Sequence, residues 1–262
     1  MKVKQSSFAG MFYPQNQEDI INLIEYFNSL NNSKDANCKD IKAMIVPHAG
    51  YIYSGYSANL AYKRLSTQDI KTVVVIGPSH RVYFDGISVA KYDSYQTPFG
   101  ELPIDTEFIK QLENNFKIHF YPKAHQEHST EVQMPFIKYY MPTVSVVELV
   151  YANIDAIQLS KIIEFCMRDG VAVVISSDLS HFYDISKAKE LDSICLEAID
   201  SLDVGILSQG CEACGKLGIE ALLLYAKQYG LVSHILDYRT SADVTKDKSE
   251  VVGYTSALFC KE

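Results

Sequence analysis

The sequence predicts an α/β fold: a mostly parallel or mixed central sheet with helices on both faces, in a single domain spanning 1–262. Short continuous Val/Ile runs, such as VVVI (73–76) and VAVVI (171–175), alternate with stretches of helical periodicity. That is the pattern of strands buried on both faces by helices. Several runs stop on chemistry-bearing residues: His48 follows Ala43 to Val46, His80 follows Val73 to Ile76, and Asp178 and His181 follow Val171 to Ile175. The chain then closes on two strand-like segments, VSHILDYR and VVGYTSALFC, expected to add antiparallel edge strands. No linker, low-complexity tract or fixed-period repeat divides it.

The first helix is expected over 16–30, with Ile20, Ile21, Leu23, Ile24, Phe27 and Leu30 on its apolar face and Asn16 as its cap. A strand at 43–47, a helix at 54–65 and strands at 72–77 and 86–90 follow. After the turn-rich YDSYQTPFGELP come a helix at 105–115 behind Asp105 and a short strand at 117–121. A helix over 129–140 contains Pro135, which is tolerable in a first turn and kinks the helix elsewhere. A strand at 144–151, a helix at 155–168 behind Asp155, a strand at 171–176 and helices at 187–201 and 217–229 lead to the closing pair, joined by the polar TSADVTKDKSE.

A formal charge of -8 and the lack of a basic, aromatic-interleaved cluster argue against a nucleic acid or an anionic membrane as partner. The N-terminal stretch has no apolar signal-like segment, and no run of membrane-spanning length follows, so a cytoplasmic location is expected. In a reducing compartment the six cysteines are expected to be free thiols or ligands, with Cys166 and Cys195 as small core residues. There is no G-x-S-x-G elbow, G-x-G-x-x-G or P-loop motif, which sets aside serine hydrolysis and the standard nucleotide sites.

In open α/β sheets ligands bind beyond the carboxyl ends of the parallel strands. The strand-end residues His48, His80, Asp178 and His181 are therefore expected to meet in one crevice. Cys214 precedes Gly215 and an apolar-periodic helix, a position that favours the thiolate through the helix N-terminus, with Cys211 as an incidental neighbour. His128 opens another helix, on the same side as Glu131; His125, His119 and His234 are expected to be structural. Any one of these histidines is more often a satisfied structural residue, but together they describe a metal or acid/base site.

PHAGYIYSG, VVVIGPSH, QTPFGELPID, EHSTEVQMPF, VVISSDLSHF and ACGKLGIEALL occur in this order over nearly the whole chain, which resembles the Memo family. Its bacterial and archaeal members are grouped with an AMMECR-domain protein and a radical-SAM protein, and its fold resembles the LigB-type class III extradiol dioxygenases. The resemblance implies that His48 and His80 are metal ligands and that Cys214 is the third, where the dioxygenases have a glutamate. It places His128, Asp178 and His181 in the same pocket, in catalytic roles. Lys216 and Leu217 depart from the residues usual in the family's loop, which puts an anion-binding role for that loop in doubt.

A single metal ion is thus expected, iron or copper with zinc possible, in a dioxygenase-like redox enzyme of unknown substrate acting on a small molecule or peptide. Two readings stand beside it: a zinc-type hydrolase, and a non-catalytic adaptor for the AMMECR-domain and radical-SAM partners.

Overall fold

A computed structural model describes residues 2–30 and 38–262. The chain opens with strand β1 (Val3–Lys4), helix α1 (Gln17–Ser29), strand β2 (Asp40–Val46), helix α2 (Tyr51–Leu65) and strand β3 (Thr72–Pro78). Strands β4 (Ile87–Val89), β5 (Ser94–Thr97) and β6 (Gly100–Pro103) precede helix α3 (Thr106–Asn115), a 3₁₀ turn (Pro122–His125) and helices α4 (His128–Glu131) and α5 (Met134–Tyr140). There follow β7 (Ser145–Tyr151), α6 (Ala156–Cys166), β8 (Val171–Ser176), β9 (His181–Tyr183), α7 (Ile185–Ser201), α8 (Val204–Leu207) and α9 (Lys216–Tyr229). Strand β10 (Val232–Thr240), helix α10 (Ala242–Thr245) and strand β11 (Val251–Lys261) complete the chain.

The main sheet runs β10-β11-β2-β8-β3-β7-β4, and β9 pairs with β11 beside it. Its centre, β2-β8-β3-β7, is parallel, whereas β4, β11 and β10 join antiparallel, so the sheet is mixed as expected. The Val/Ile runs are continuous because both faces are covered: Val73 to Ile76 and Ala172 to Ile175 are all fully buried. Helices α6 to α9 pack as one group and α1, α2 and α5 as another. Asn16 and Asp105 cap α1 and α3 by accepting from Asp19 N and Phe108 N. No helix among the described residues is long and apolar enough to cross a membrane.

Four expectations need correction. The helix expected at 129–140 is two helices, α4 and α5, and Pro135 sits in the first turn of the second, where its missing N–H costs nothing. The strand expected at 117–121 is reduced to one bridge, Ser88 to His119. The segment read as turn-rich folds into the β5–β6 hairpin, which pairs with β1 in a second, three-stranded sheet.

Lastly, Cys38 bonds Cys260 and Cys195 bonds Cys211, so four of the cysteines are not free thiols; Cys166 remains a buried free thiol. Strand order accounts for the first bridge: Cys260 of β11 is opposite Ile41 of β2, which brings Cys38 to a Cα separation of 5.7 Å. In the second, the loop after α8 folds back on α7, with the Cα atoms 4.9 Å apart.

Candidate metal centre

Strands β2, β8 and β3 are parallel neighbours, so the residues after their carboxyl ends share one edge of the sheet. Short helix α4 docks against that edge, and the stretch Glu127 to Glu131 ties it to five places. Glu127 accepts the His80 backbone N–H at 2.8 Å. Ser129 donates its hydroxyl to Pro78 O at 2.8 Å, at the end of β3. Its carbonyl accepts the Ser176 hydroxyl from the end of β8. Thr130 donates to Glu148 Oε1 in β7 at 2.6 Å. Glu131 accepts the N–H groups of Ser7 and Phe8 and the Tyr13 hydroxyl, at 2.8, 2.7 and 3.0 Å, pinning the N-terminal segment. Gly77 permits the docking, because a Cβ there would stand 2.7 Å from Ser129 Oγ.

This hub brings His128 to His48 and His80. One ligand atom from each of the three lies within 4.8 Å of the other two. The ring centroids are 5.2 Å apart for His48–His80, 5.3 Å for His48–His128 and 4.7 Å for His80–His128.

For His48 and His80 the hydrogen bonds assign the ring nitrogen that carries the proton. The Ser176 hydroxyl has one hydrogen, which it gives to Ser129 O, while accepting from Gln133 Nε2 at 2.9 Å. His48 Nδ1, 3.0 Å from the same hydroxyl, must therefore be the donor, which leaves the Nε2 lone pair free. His80 Nδ1 is 3.1 Å from Glu127 Oε1, and an ionised carboxylate accepts only, so this ring too carries a proton on Nδ1, whereas His128 Nδ1, 2.9 Å from the same oxygen, meets it outside hydrogen-bonding geometry. Burial pushes the Glu127 pKa up, but the close His128 and His80 rings outweigh it and hold the carboxyl well below its usual range. Burial, with His80 and His128 nearby, lowers the His48 pKa, so this ring is neutral.

Cys214 borders the cluster, its Sγ 3.2 Å from His48 Nε2 and close to the Asp178 backbone. The expectation of a thiolate favoured by the helix N-terminus does not hold: burial, reinforced by the Asp178 carboxylate, pushes the thiol up to about 12. A close approach fixes the loop, since a Cβ at Gly215 would meet Ser177 Cβ at 2.6 Å. Cys211 does not face Cys214 as a partner; its sulfur is bonded to Cys195.

Asp178 Oδ1 accepts the backbone N–H groups of His48 at 2.7 Å and Ala49 at 3.3 Å, and Oδ2 lies 4.0 Å from His48 Nε2. Its pKa is raised because burial exceeds the effect of those bonds. His181 is half-buried on β9, opposite Val252, and outside the group of three imidazoles. His125 is wholly buried, with Nε2 2.8 Å from Ser88 Oγ and Nδ1 3.2 Å from Glu148, a structural pairing. Phe8 and Phe12 wall His128 at centroid distances of 5.8 and 4.7 Å.

A cleft of about 620 Å³ reaches the cluster, with His80, Arg81, Tyr83, Tyr151, Cys214 and Leu217 among its lining residues; Lys216 is not one of them. Sequence reasoning passed over Glu127, Ser176 and Gln133. The only local signal was a glutamate directly before His128, which reads equally as a solvated helix cap.

A family model described as Memo-like protein matches residues 4–258. A MEMO1 family protein of Archaeoglobus fulgidus is 35% identical over 96% of this chain and 97% of its own length. One from Thermoplasma volcanium is 32% identical over 99% of both chains. Among solved structures, an uncharacterized protein from Escherichia coli K12 superposes with a TM-score of 0.52 at 11% identity, covering 83% of this chain and 99% of that one, a likeness of fold alone. With a family model covering nearly the whole chain and full-length relatives above 30% identity, this chain belongs to the Memo family.

Proposed function

We propose that this chain is a metal-dependent oxidoreductase, using iron or copper at the strand-end cluster in dioxygenase-like chemistry. The carrying observation is the convergence of three imidazoles, each with one ring nitrogen within 4.8 Å of the other two, of which His48 and His80 have Nδ1 committed to Ser176 and Glu127 and so keep Nε2 for an ion. Such a donor set fits iron, copper or zinc, and acceptors behind the coordinating rings are the usual support of a metal site. His48 and His80 would hold the ion, with His128 and Cys214 as the further donors beside them. Bound there, iron or copper would supply electron transfer and Lewis acidity.

The protein's own groups supply the rest. Ser176 and Glu127 orient the His48 and His80 rings and fix their tautomers. Asp178, buried against the His48 backbone, holds or passes a proton at Oδ2, and His181 can relay it towards solvent. Phe8 and Phe12 shield His128 from water.

The test is metal analysis of anaerobically purified, untagged protein beside His48→Ala, His80→Ala, His128→Ala and Cys214→Ala. Near-stoichiometric iron or copper, lost from the variants, is the expected result. Full metal content in Cys214→Ala would remove the thiol from the ligand set, and full content in the His48 and His80 variants would sink the reading.

Three imidazoles are also a set that zinc uses to activate water, which favours a zinc hydrolase as the second reading. Zinc alone in the protein, with hydrolysis of a model ester, would decide for it. Partnership with AMMECR-domain and radical-SAM proteins belongs to the same proposal, and a pull-down with wild type and the metal-site variants checks it.

A further inference from the structure

The cleft beside the imidazole cluster has a marked charge pattern. Arg81 is its only lining residue with a permanent charge, no aspartate or glutamate lines it, and Tyr83, Tyr151 and Leu217 make much of its wall apolar. Elsewhere Arg239 is paired with Asp237 at 2.6 Å and Arg168 bonds Gln111 at 2.8 Å. Arg81 has no such partner among the described residues; its guanidinium instead lies over the Phe8 ring, 4.8 Å from the centroid. The carboxylate next to His80, Glu127, is buried, and its oxygens are engaged by His80 and Ser129.

An exposed arginine is usually a solvated arm. Arg81 differs because the ring beneath it is fixed: Phe8 donates its N–H to Glu131 at 2.7 Å and packs edge-on against His128. Stacking uses the face of the guanidinium and leaves its N–H edge free, the edge that grips a carboxylate with two parallel hydrogen bonds.

We propose that the cleft takes a small organic carboxylate, its planar apolar body against Tyr83, Tyr151 and Leu217 and its carboxylate on Arg81. The reacting end then points at the imidazoles, a step that rests on the oxidoreductase reading; the anion grip itself does not.

The experiment titrates benzoate and its neutral analogue benzamide into the full chain, as purified and after anaerobic loading with Fe(II), for wild type, Arg81→Gln and Arg81→Lys. Benzoate is expected to bind wild type roughly tenfold tighter than benzamide in both preparations, since a charge-assisted pair is worth about that much at an open site. Arg81→Gln is expected to abolish the preference and Arg81→Lys to keep part of it, which also controls for misfolding. Equal affinities in wild type, undetectable binding of both probes included, overturn the proposal. So does a preference that survives Arg81→Gln, or one seen only after loading, where the anion sits on the ion. Metal content measured on the same samples separates the two readings: wild type that takes up no iron but still prefers benzoate keeps the anion grip and sinks the metal centre.

Discussion

Glu127→Gln removes one charge from the centre while keeping its shape, and the hydrogen bonds show why the exchange is costly. Oε2 accepts the His80 backbone N–H, and Oε1 faces His80 Nδ1, His128 Nδ1 and the Ser129 N–H at 3.1, 2.9 and 3.3 Å. A carboxylate can answer every one of these donors, but a carboxamide presents one oxygen and one NH₂. Placed at Oε1, the NH₂ confronts two donors, His80 Nδ1–H and the Ser129 N–H; placed at Oε2, it confronts one, and this second orientation is the one adopted. The variant thus strands the His80 N–H and weakens the remaining bonds by removing their charge, a loss of about 2–3 kcal/mol for a charge-assisted bond in a buried place.

Two assays read the outcome. Thermal unfolding should fall by roughly 4–10 °C for a chain of this size. Chelator competition should show roughly 10–100-fold weaker metal binding, the usual effect of losing the acceptor behind a coordinating imidazole. Unchanged metal affinity with a lowered melting temperature would make Glu127 a fold residue that orients nothing. Unchanged values in both assays would refute the hydrogen-bond argument itself.

Further expectations concern the supports of the same hub. Glu148→Gln faces buried His125 and the Thr130 hydroxyl with an amide and should cost about 1–3 kcal/mol near neutrality, as weakening a hydrogen bond to a buried charged group does. Although burial pushes the Glu148 pKa up, His125 and Lys4 hold it below 4.5, so its stabilisation is present above that value and lost as pH falls through the folded pKa; denaturant titrations of wild type and variant should converge below about pH 4.5. Gly77→Ala puts a methyl 2.7 Å from Ser129 Oγ and should cost about 1–3 kcal/mol while displacing His128, a combination visible as joint loss of melting temperature and metal content. Glu131→Gln should loosen the segment carrying Phe8 and Phe12, and limited proteolysis followed by mass spectrometry should find new cuts within residues 5–15. Cys195→Ser opens the bridge to Cys211, which spans 16 residues, and should destabilise by about 3 kcal/mol; equal unfolding of variant and wild type under non-reducing conditions would show that the bond is not formed.

The parts legible in the sequence were those fixed by local burial. Val73 to Ile76 could be recognised as a central strand because each of its side chains is buried, on one face or the other. His48 and His80 followed, since a parallel strand delivers whatever stands at its end to the same edge of the sheet. What escaped depends on contacts between residues remote in sequence: the serine that sets the His48 tautomer is 128 residues away, and the glutamate that sets the His80 tautomer is 47 away. The break between α4 and α5 was missed for a related reason, because the polar side chains of Glu127 to Glu131 find partners in the sheet and the N-terminal segment instead of water. At Cys214 a local rule about helix ends is outweighed by burial and by Asp178, which push its thiol pKa up. Residue types at strand ends thus point to a candidate site, whereas the arrangement of imidazoles that could hold an ion is written in the docking of α4. A substitution that undocks α4 should therefore empty the centre even when every imidazole is retained.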